Sequence, residues 1–411
     1  MYNARMWPFK KKRIYLDYAS APPVLPEAER AMRDATKIIG NPGAIHADGV
    51  AAMRALEGAR ERIAAELEVK PREIIFTSGL TESNNIAIVG FARAFKFLRS
   101  DLKNPQGRTL ENSHWIVSSI EHSSVLDCFG EIERVGGTVT HIDPDEHGVI
   151  HAERLEHALR PETVFVSIGW ANNELGTIQP LAKITQVLRT HEKAHKTRVT
   201  LHTDAGQAPL YLPTTAHTLG PDLISIGGNK LYGPHGVGAL YIGSRLVSVD
   251  IARILHGGPQ ERGLRPGTES VALALGFAAA YEHVATMRER EAKRLRQLRD
   301  AFARDLQHAI PEMMINGDLR HVLPHMLNLS IPHISSEYVV LALDSAGISL
   351  STKSACREGE ESRSHVVHVL GGPKWRAENT LRFSLGAETT AQHIARTVAA
   401  LATIVHRSAK G

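Results

Sequence analysis

Short apolar runs alternate with longer amphipathic stretches between about residues 70 and 245. The runs have the length and apolar content of buried strands, and the stretches between them are long enough for helices. Alternation of this kind favours a largely parallel sheet with helices on both faces, so the sequence predicts an α/β fold. The predicted strands are residues 73–76, 115–118, 164–168, 199–202, 223–226 and 238–242.

A smaller domain is predicted after this region. From residue 283 a charged segment carries its apolar residues on one stripe, which is typical of a long helix that bridges two domains. Residues 326–331 and 380–384 are typical of strands of a small α+β unit. We therefore predict a large domain over residues 15–270 and a small C-terminal domain over residues 271–411, which residues 1–14 join. The stripe consists of Val284, Met287, Leu295, Leu298, Phe302 and Leu306.

Composition excludes several classes of protein. The 411 residues are 43% hydrophobic and 22% charged, which is ordinary for a globular protein. The longest apolar run, residues 271–281, is shorter than the roughly 20 residues that span a bilayer. No secretory segment opens the chain, so we expect a cytoplasmic protein without membrane contact. The net charge is +4, and the basic residues are scattered along the chain except for one cluster at residues 10–13. We therefore expect no nucleic-acid partner.

Cysteine and histidine usage is also informative. Only two cysteines occur, Cys128 and Cys356, so a disulfide framework and a Cys-rich metal site are excluded. We expect no metal site among the 22 histidines.

Lys230 lies on a Gly-rich loop directly after one predicted strand, and Asp204 ends another. Neighbouring parallel strands would deliver both side chains to the same edge of the sheet. An amine and a carboxylate placed together suggest pyridoxal phosphate, whose aldehyde needs an amine for a Schiff base. The cofactor's ring nitrogen needs an anion to stay protonated, so that the ring can accept electrons.

Three further segments follow predicted strands. Residues 76–85 form a strand end, a Gly turn and a helix start, where main-chain N–H groups and the helix dipole favour an anion such as phosphate. Taken alone, Thr81 is also compatible with a simple helix cap. His122 follows a second strand, although a lone histidine is more often structural, and Asn173 follows a third.

This ordered set of motifs resembles the class V aminotransferase family of fold-type I pyridoxal-phosphate enzymes. Within that family the chain is similar to the cysteine desulfurases of the iron–sulfur assembly type. The resemblance runs from about Tyr15 to Leu385. Further motifs at matching places are residues 40–46, 262–268, 354–356 and 382–386.

The resemblance implies a role for each matching residue. Lys230 corresponds to the Schiff-base lysine, Asp204 to the partner of the ring nitrogen, and His122 to a ring-stacking histidine that can also carry protons. Gln207 and Asn173 match contacts to the ring oxygen, and Asn173 also matches a substrate contact. The phosphate contacts match Leu80 through its main chain, Thr81, Gly227, Asn229 and, from the neighbouring subunit of an implied homodimer, Thr268.

Cys356 and Arg382 are the predicted substrate-side groups. The segment around Cys356 contains almost nothing apolar, so we expect an exposed loop, and the neighbouring Lys353 and Arg357 favour a reactive thiolate. Free cysteine is otherwise often buried and inert. Arg382 suits a substrate α-carboxylate, because a guanidinium binds a carboxylate through two parallel hydrogen bonds.

The predicted function is therefore an L-cysteine desulfurase that leaves a persulfide on Cys356 and passes the sulfur to an acceptor or iron–sulfur scaffold protein. A related enzyme for selenocysteine or another amino acid and a degenerate sulfur carrier stay open as alternatives. The chain departs from the family pattern at several positions, which puts the substrate and the rate in question. Loss of two phosphate ligands at Gly227 and Asn229 predicts weaker cofactor retention. The departures are Ala21, Pro22, Gly43, Gly227, Asn229 and Lys353.

Overall fold

The computed structural model describes residues 13–97, 109–246, 251–352 and 363–408. Within these ranges the strands are β1 (Ile14–Tyr15), β2 (Ile74–Thr77), β3 (His114–Ser118), β4 (Thr138–Ile142), β5 (Thr163–Ser167), β6 (Thr200–Asp204), β7 (Leu223–Gly227), β8 (Gly238–Ile242), β9 (Met314–Ile315), β10 (Met326–Ser330), β11 (Ile348–Ser349) and β12 (Thr380–Ser384). The helices in the same ranges are α1 (Pro26–Ala35), α2 (Ala47–Leu67), α3 (Leu80–Phe97), α4 (Ser123–Arg134), α5 (Ala152–Ala158), α6 (Leu181–His195), α7 (Ala216–Leu219), α8 (Val271–Ala309), α9 (Ser336–Ser345), α10 (His365–Val369), α11 (Lys374–Glu378) and α12 (Ala391–Ser408).

The central sheet has seven strands in the order β2-β8-β7-β6-β5-β3-β4. Neighbours pair in parallel except at β8, which runs antiparallel to both β2 and β7. All six runs predicted from the sequence form strands of this sheet. The predicted α/β class, a mainly parallel sheet flanked by helices with a smaller α+β part, is confirmed.

One strand of the central sheet, β4, was not predicted. It pairs with β3 alone and lies at the edge of the sheet. Thr138 and His141 are exposed, and only Ile142 of its five residues is buried. An edge strand with so little buried surface has no apolar run to reveal it.

The strands pack their two faces against different helices. Ile224 and Ile226 of β7 belong to the larger core, which includes residues of α2, α6 and α8. Leu223, on the opposite face, belongs to a second core with residues of α3 and α4. Alternate side chains of a strand point to opposite faces, so a strand buried on both sides has a continuous apolar sequence. The continuous apolar runs of the sequence are therefore strands of a sheet that helices cover on both faces.

The long helix α8 begins at Val271, twelve residues before the charged segment that predicted it. Its first turns are apolar on all sides and are buried or half-buried, so they carry no amphipathic signal. Farther along, Phe302 packs edge to face on Phe383 of β12, with ring centroids 5.1 Å apart. Strands β12, β10 and β9 form a small antiparallel sheet in the predicted C-terminal region. The domain boundary at residue 270 stays a prediction.

The N-terminal strand β1 returns to the C-terminal region, where it pairs in parallel with β11. The chain then continues along β12, since Asp17 forms a β-bridge with Ser384. The Ser384 main-chain N–H donates to the carbonyl of Leu16 at 2.8 Å. These contacts place residues 17–20 beside the ends of the central strands.

Candidate active site

The carboxyl ends of the parallel strands converge on a cavity of about 370 Å³. In open α/β sheets ligands bind at this edge, because the loops that follow the strands meet there. Strands β2, β3, β5, β6 and β7 each contribute a following loop or helix start to the wall. The predicted site residues that line the cavity are Leu80, Thr81, His122, Asn173, Asp204, Gln207, Asn229, Lys230 and Arg382.

Asp204 and Lys230 lie after neighbouring strands, as the sequence predicted. Asp204 is the last residue of β6, and Lys230 ends the single helical turn that follows β7. The two strands pair in parallel, with Asp204 opposite Ser225. A carboxylate and an amine therefore share one cavity.

Four polar side chains form a hydrogen-bonded chain along this wall, which we call the polar network: His122, Ser124, Asn84 and Asp204. The side-chain amide of Asn84 donates to Asp204 Oδ2 at 2.8 Å and to Ser124 Oγ at 2.9 Å. The Ser124 oxygen accepts from the Asn84 amide, so its own hydroxyl hydrogen is free to donate to His122 Nδ1, 2.8 Å away. Asp204 Oδ1 accepts from the main-chain N–H of Gly206 at 2.8 Å. Both carboxylate oxygens are thus held in place.

His122 caps the start of α4. Its Nδ1 also accepts from the main-chain N–H of Ser124 at 3.1 Å, so the neutral ring carries its hydrogen on Nε2. Burial lowers the pKa of His122, which favours that neutral form. The cavity is therefore lined by a neutral imidazole of defined tautomer.

Glu121, next to His122, is a buried carboxylic acid in the cavity wall. Its Oε1 accepts from the main-chain N–H of Gly169 at 2.8 Å. A Cβ at residue 169 would lie 2.8 Å from Glu121 Oε2, so only glycine leaves room for this side chain. Burial, with a smaller contribution from the charge of Asp204, raises the pKa of Glu121 to about 8.

Residues 19 and 20 cross the cavity beside the lysine. Lys230 Nζ donates to the carbonyl of Ala19 at 2.9 Å and to that of Ser20 at 2.6 Å. The side-chain amide of Gln207 donates to the same Ala19 carbonyl at 2.9 Å. The departures from the family pattern at Ala21 and Pro22 thus follow directly on residues that contact the lysine.

Arg382, in the centre of β12, is buried and reaches the cavity through its guanidinium. Its Nη1 donates to the carbonyl of Asn173 at 2.9 Å. Its Nη2 donates to Asp17 Oδ1 at 2.9 Å and to Ser20 Oγ at 2.6 Å. The Nε of Arg382 is buried and has no hydrogen-bond partner among the residues that the structure describes. The fork is thereby oriented, and these contacts leave two of its five hydrogens, one on Nε and one on Nη1, unused.

The start of α3 forms another part of the wall. Gly79 has φ of +147°, a conformation that side chains rarely adopt, and α3 begins with Leu80 and Thr81. Main-chain N–H groups at a helix start point along the axis and attract anions. The Leu80 side chain contacts two glycines at the strand ends. A Cβ at Gly206 or Gly227 would lie 2.7 or 2.9 Å from Leu80 Cδ1. We call these three residues the Leu80 cluster.

The remaining predicted residues lie elsewhere. Gly227 is buried behind Leu80, and Thr268 is exposed and outside the cavity of its own chain. Cys356 and Lys353 lie outside the described residues. Cys128 is buried in α4, and burial raises the pKa of its thiol to about 12, so it stays protonated at neutral pH.

Several site residues were not predicted. Asn84 and Ser124 complete the polar network, and Asp17 and Ser20 orient Arg382. Asn84 lies one helical turn beyond Thr81, on the face of α3 that meets the strand ends, and this spacing is a signal that the sequence contains. The contacts of Asp17 and Ser20 with Arg382 join positions more than 360 residues apart, and no local pattern indicates them.

The sequence profile of the Aminotransferase class-V family matches residues 14–397. This range includes the strand ends and both clusters of cavity residues described above. The chain belongs to the class-V aminotransferase family.

Within that family the chain is similar to proteins named cysteine desulfurase, as its motifs predicted. It is 37% identical to "Cysteine desulfurase IscS" of Dictyoglomus turgidum over 97% of this chain and 95% of that protein. Among solved structures, a "NIFS-LIKE PROTEIN" superposes with a TM-score of 0.85 at 30% identity and covers 96% of this chain and 99% of its own. "SspA in complex with cysteine" superposes with a TM-score of 0.74 at 33% identity and covers 90% of this chain and 98% of its own.

The described residues contain neither a membrane-spanning helix nor a cluster of metal ligands. None of the helices in the described ranges is long and apolar enough to cross a membrane. Within the same ranges, no group of three or more His, Cys, Asp or Glu side chains is placed to hold a metal ion.

Proposed function

We propose that the protein is a pyridoxal-phosphate-dependent L-cysteine desulfurase that converts cysteine to alanine and leaves a persulfide on Cys356. The observation that carries this proposal is the meeting of Lys230 and Asp204 in one cavity, at the ends of adjacent parallel strands. Membership of the class-V aminotransferase family and relatives named cysteine desulfurase support it.

The cavity fits pyridoxal phosphate by the chemistry of its donors and acceptors. Lys230 supplies the amine, and Asp204 supplies a carboxylate whose position is fixed by Asn84 and Gly206. Within the described ranges the buried Oε1 of Gln207 has no hydrogen-bond partner, so an acceptor is available at the cavity wall. When bound, the cofactor withdraws electrons from the α-carbon of the amino acid attached to it.

Further residues are proposed to hold the cofactor's other groups. His122 would stack on the ring, and Asn173 and Gln207 would contact its oxygen. The main chain of Leu80, the hydroxyl of Thr81 and the amide of Asn229 line the part of the cavity near the start of α3, where a phosphate is favoured. Gly227 lacks a side chain and cannot contribute a hydroxyl.

Substrate recognition is assigned to Arg382 and Asn173. A guanidinium binds a carboxylate through two parallel hydrogen bonds. Asp17 and Ser20 orient this one through Nη2, and the substrate carboxylate would replace one of these contacts. The α-carboxylate of cysteine is the group we expect it to bind. The likeness to a structure described as a complex with cysteine supports this substrate.

Proton transfer is assigned to Lys230 and His122. Lys230 Nζ is the base that removes and returns protons at the substrate, held between the carbonyls of Ala19 and Ser20 until it is displaced. The neutral ring of His122 is held by Ser124 and can relay a proton at neutral pH, because burial lowers its pKa.

The transfer of sulfur needs no oxidant or reductant besides the thiol of the substrate cysteine and the thiol of Cys356. The thiolate of Cys356 attacks the substrate sulfur, so a sulfur–sulfur bond forms while the carbon–sulfur bond breaks. The electron pair of the broken bond stays with carbon, which takes up a proton and gives alanine. Cys128 is not suited to this step, because it is buried and its thiol stays protonated.

A homodimer and a sulfur acceptor are part of the proposal. The family resemblance assigns Thr268 to the phosphate of a neighbouring subunit, and its exposed position outside its own cavity is compatible with that role. Ile45 is 99% exposed within the residue 40–46 motif, and Ile39 and Leu255 are exposed as well, which suits an interface between two copies. The persulfide would pass to an acceptor such as an iron–sulfur scaffold protein in the cytoplasm.

The proposal is tested with the purified protein. Reduction with borohydride in the presence of pyridoxal phosphate, followed by peptide mass spectrometry, is expected to place the cofactor on Lys230. Cysteine should then give alanine and sulfide in the presence of a thiol reductant. Absence of cofactor attachment excludes the enzyme assignment, and faster turnover of selenocysteine than of cysteine indicates the alternative substrate.

A further inference from the structure

Leu80 lies between the start of α3 and the ends of β6 and β7. Its Cδ1 would be 2.7 Å from a Cβ at Gly206 and 2.9 Å from a Cβ at Gly227, and its Cγ would also be 2.9 Å from the latter. Carbon atoms in contact are normally about 3.5–4.0 Å apart, so neither position accepts a side chain while Leu80 keeps its conformation. Leu80 therefore fills the space that side chains at residues 206 and 227 would otherwise occupy.

The leucine must move its side-chain end to relieve either contact. The same δ-carbon meets both glycines, and the Gly227 position is further limited by Asn229 Oδ1, 3.1 Å from the built Cβ. Leu80 also lines the cavity, so the space into which it would move is the cavity itself. A side chain at residue 206 or 227 would consequently push Leu80 toward a bound ligand.

We propose that Leu80, with Gly206 and Gly227, determines how the cavity binds the phosphate of its cofactor. The leucine side chain excludes any phosphate ligand from β7 and leaves the phosphate to the main-chain N–H groups at the start of α3, to Thr81 and to Asn229. This inference rests on the proposed function for the identity of the ligand. The packing unit itself does not depend on it.

The test is a double-mutant cycle of Gly227→Ser and Leu80→Ala, with two measurements on each variant. The first is the thermal unfolding midpoint of the protein without cofactor. Alone, Gly227→Ser is expected to lower this midpoint by about 2 °C or more, because overpacking a filled site is destabilising. In combination with Leu80→Ala the same serine is expected to cause no loss relative to Leu80→Ala alone.

The second measurement is the affinity for pyridoxal phosphate and for pyridoxal, which lacks the phosphate. Alone, Gly227→Ser is expected to weaken pyridoxal phosphate binding. Added to Leu80→Ala, it is expected to tighten pyridoxal phosphate binding roughly fivefold to tenfold, the effect of one additional hydrogen bond, and to leave pyridoxal binding unchanged. A merely structural role of Leu80 would not separate the two ligands.

Controls keep the two proposals distinguishable. Gly206→Ala is a second arm, since it meets Leu80 Cδ1 as well, and Gly58→Ser in α2 is the matched control because a Cβ there meets nothing within 4 Å. The inference would be overturned if Gly227→Ser changed the unfolding midpoint and the affinity for pyridoxal phosphate by the same amounts in the wild type and in Leu80→Ala. Failure of every variant to bind pyridoxal phosphate would instead refute the proposed function, and the unfolding cycle would still decide whether the Leu80 cluster is a packing unit.

Discussion

The polar network and the Leu80 cluster lie against the same cavity but are built in opposite ways. In the polar network each side chain is positioned by a hydrogen bond to the next, from Asp204 through Asn84 and Ser124 to His122. In the Leu80 cluster one side chain is positioned because Gly206 and Gly227 have none. Two members of the network, His122 and Asp204, are the residue types that the family resemblance led us to expect, whereas the cluster departs from the family pattern at Gly227.

The difference shows which kinds of substitution each region tolerates. A polar network loses function when a donor or acceptor is removed, because a buried partner is then left unsatisfied. A packing cluster instead loses function when an atom is added, because its space is already filled. Side-chain deletions should therefore be most damaging among the polar residues, and side-chain additions at the glycines.

The largest effect is expected for Lys230→Ala. Removal of the amine should lower the rate of alanine formation by roughly 10²–10⁴-fold or more, the range for loss of a positioned acid or base. The unfolding midpoint should change little, in contrast to Gly227→Ser. Alanine release by amino-acid analysis checks this, with the exposed Lys183→Ala as the matched control. Wild-type turnover by Lys230→Ala would remove the lysine from the mechanism.

Arg382→Lys is expected to act on substrate binding. A lysine cannot reproduce the forked contact, and loss of one charge-assisted hydrogen bond corresponds to about a tenfold to hundredfold rise in KM for cysteine. Cofactor retention should be unchanged, because the arginine is not assigned to the cofactor. Steady-state kinetics measure the KM for cysteine, and the visible spectrum measures cofactor retention. Arg320→Lys is the control, because the Arg320 side chain is 82% exposed. A lower kcat with unchanged KM would contradict the assignment.

Glu121→Gln should reveal a pH dependence that packing at the Leu80 cluster cannot produce. Because the pKa of Glu121 is raised from 4.5 to about 8, the stability it contributes is fully present below pH 4.5 and falls as the pH rises toward 8, since the carboxyl ionises in the unfolded chain while it stays neutral in the folded protein. Glutamine stays neutral, so the variant should gain stability relative to the wild type by up to roughly 1.4 kcal/mol per pH unit in that window. Urea unfolding at pH 5, 6, 7 and 8 measures this difference. A difference independent of pH would show that Glu121 ionises normally.

The smallest effect is expected for Cys128→Ser. Cys128 lies in α4 behind the polar network and its thiol donates to the carbonyl of Ser124 at 3.2 Å, a contact that a hydroxyl can keep. Turnover should stay within about twofold of the wild type, because the residue has no part in the chemistry. Loss of turnover in Cys128→Ser together with full activity of Cys356→Ser would mean that the wrong thiol has been assigned.

The sequence predicted the parts of the molecule that have a local signature. Continuous apolar runs marked the doubly buried strands, and the residues directly after them, Asp204 and Lys230, were found at one cavity. Strand β4 was missed because it is half-exposed, and the start of α8 was missed because its first turns are apolar on all sides.

The Leu80 cluster shows what a single sequence cannot reveal. From the family pattern alone, Gly227→Ser with Asn229→His predicts tighter cofactor binding, because it restores two phosphate ligands. The structure predicts the opposite for the serine, since Leu80 occupies its place. Leu80 and Gly227 are far apart in the chain, and their complementarity is a matter of volume in three dimensions.

The central claim is that Cys356 accepts sulfur from cysteine. The most direct measurement is peptide mass spectrometry of the cofactor-loaded protein after a single incubation with cysteine and no reductant. We predict one additional sulfur atom on the peptide that contains Cys356, none on the peptide that contains Cys128, and one equivalent of alanine per added sulfur. Formation of alanine without sulfur on Cys356, or sulfur on Cys128 instead, would contradict the account.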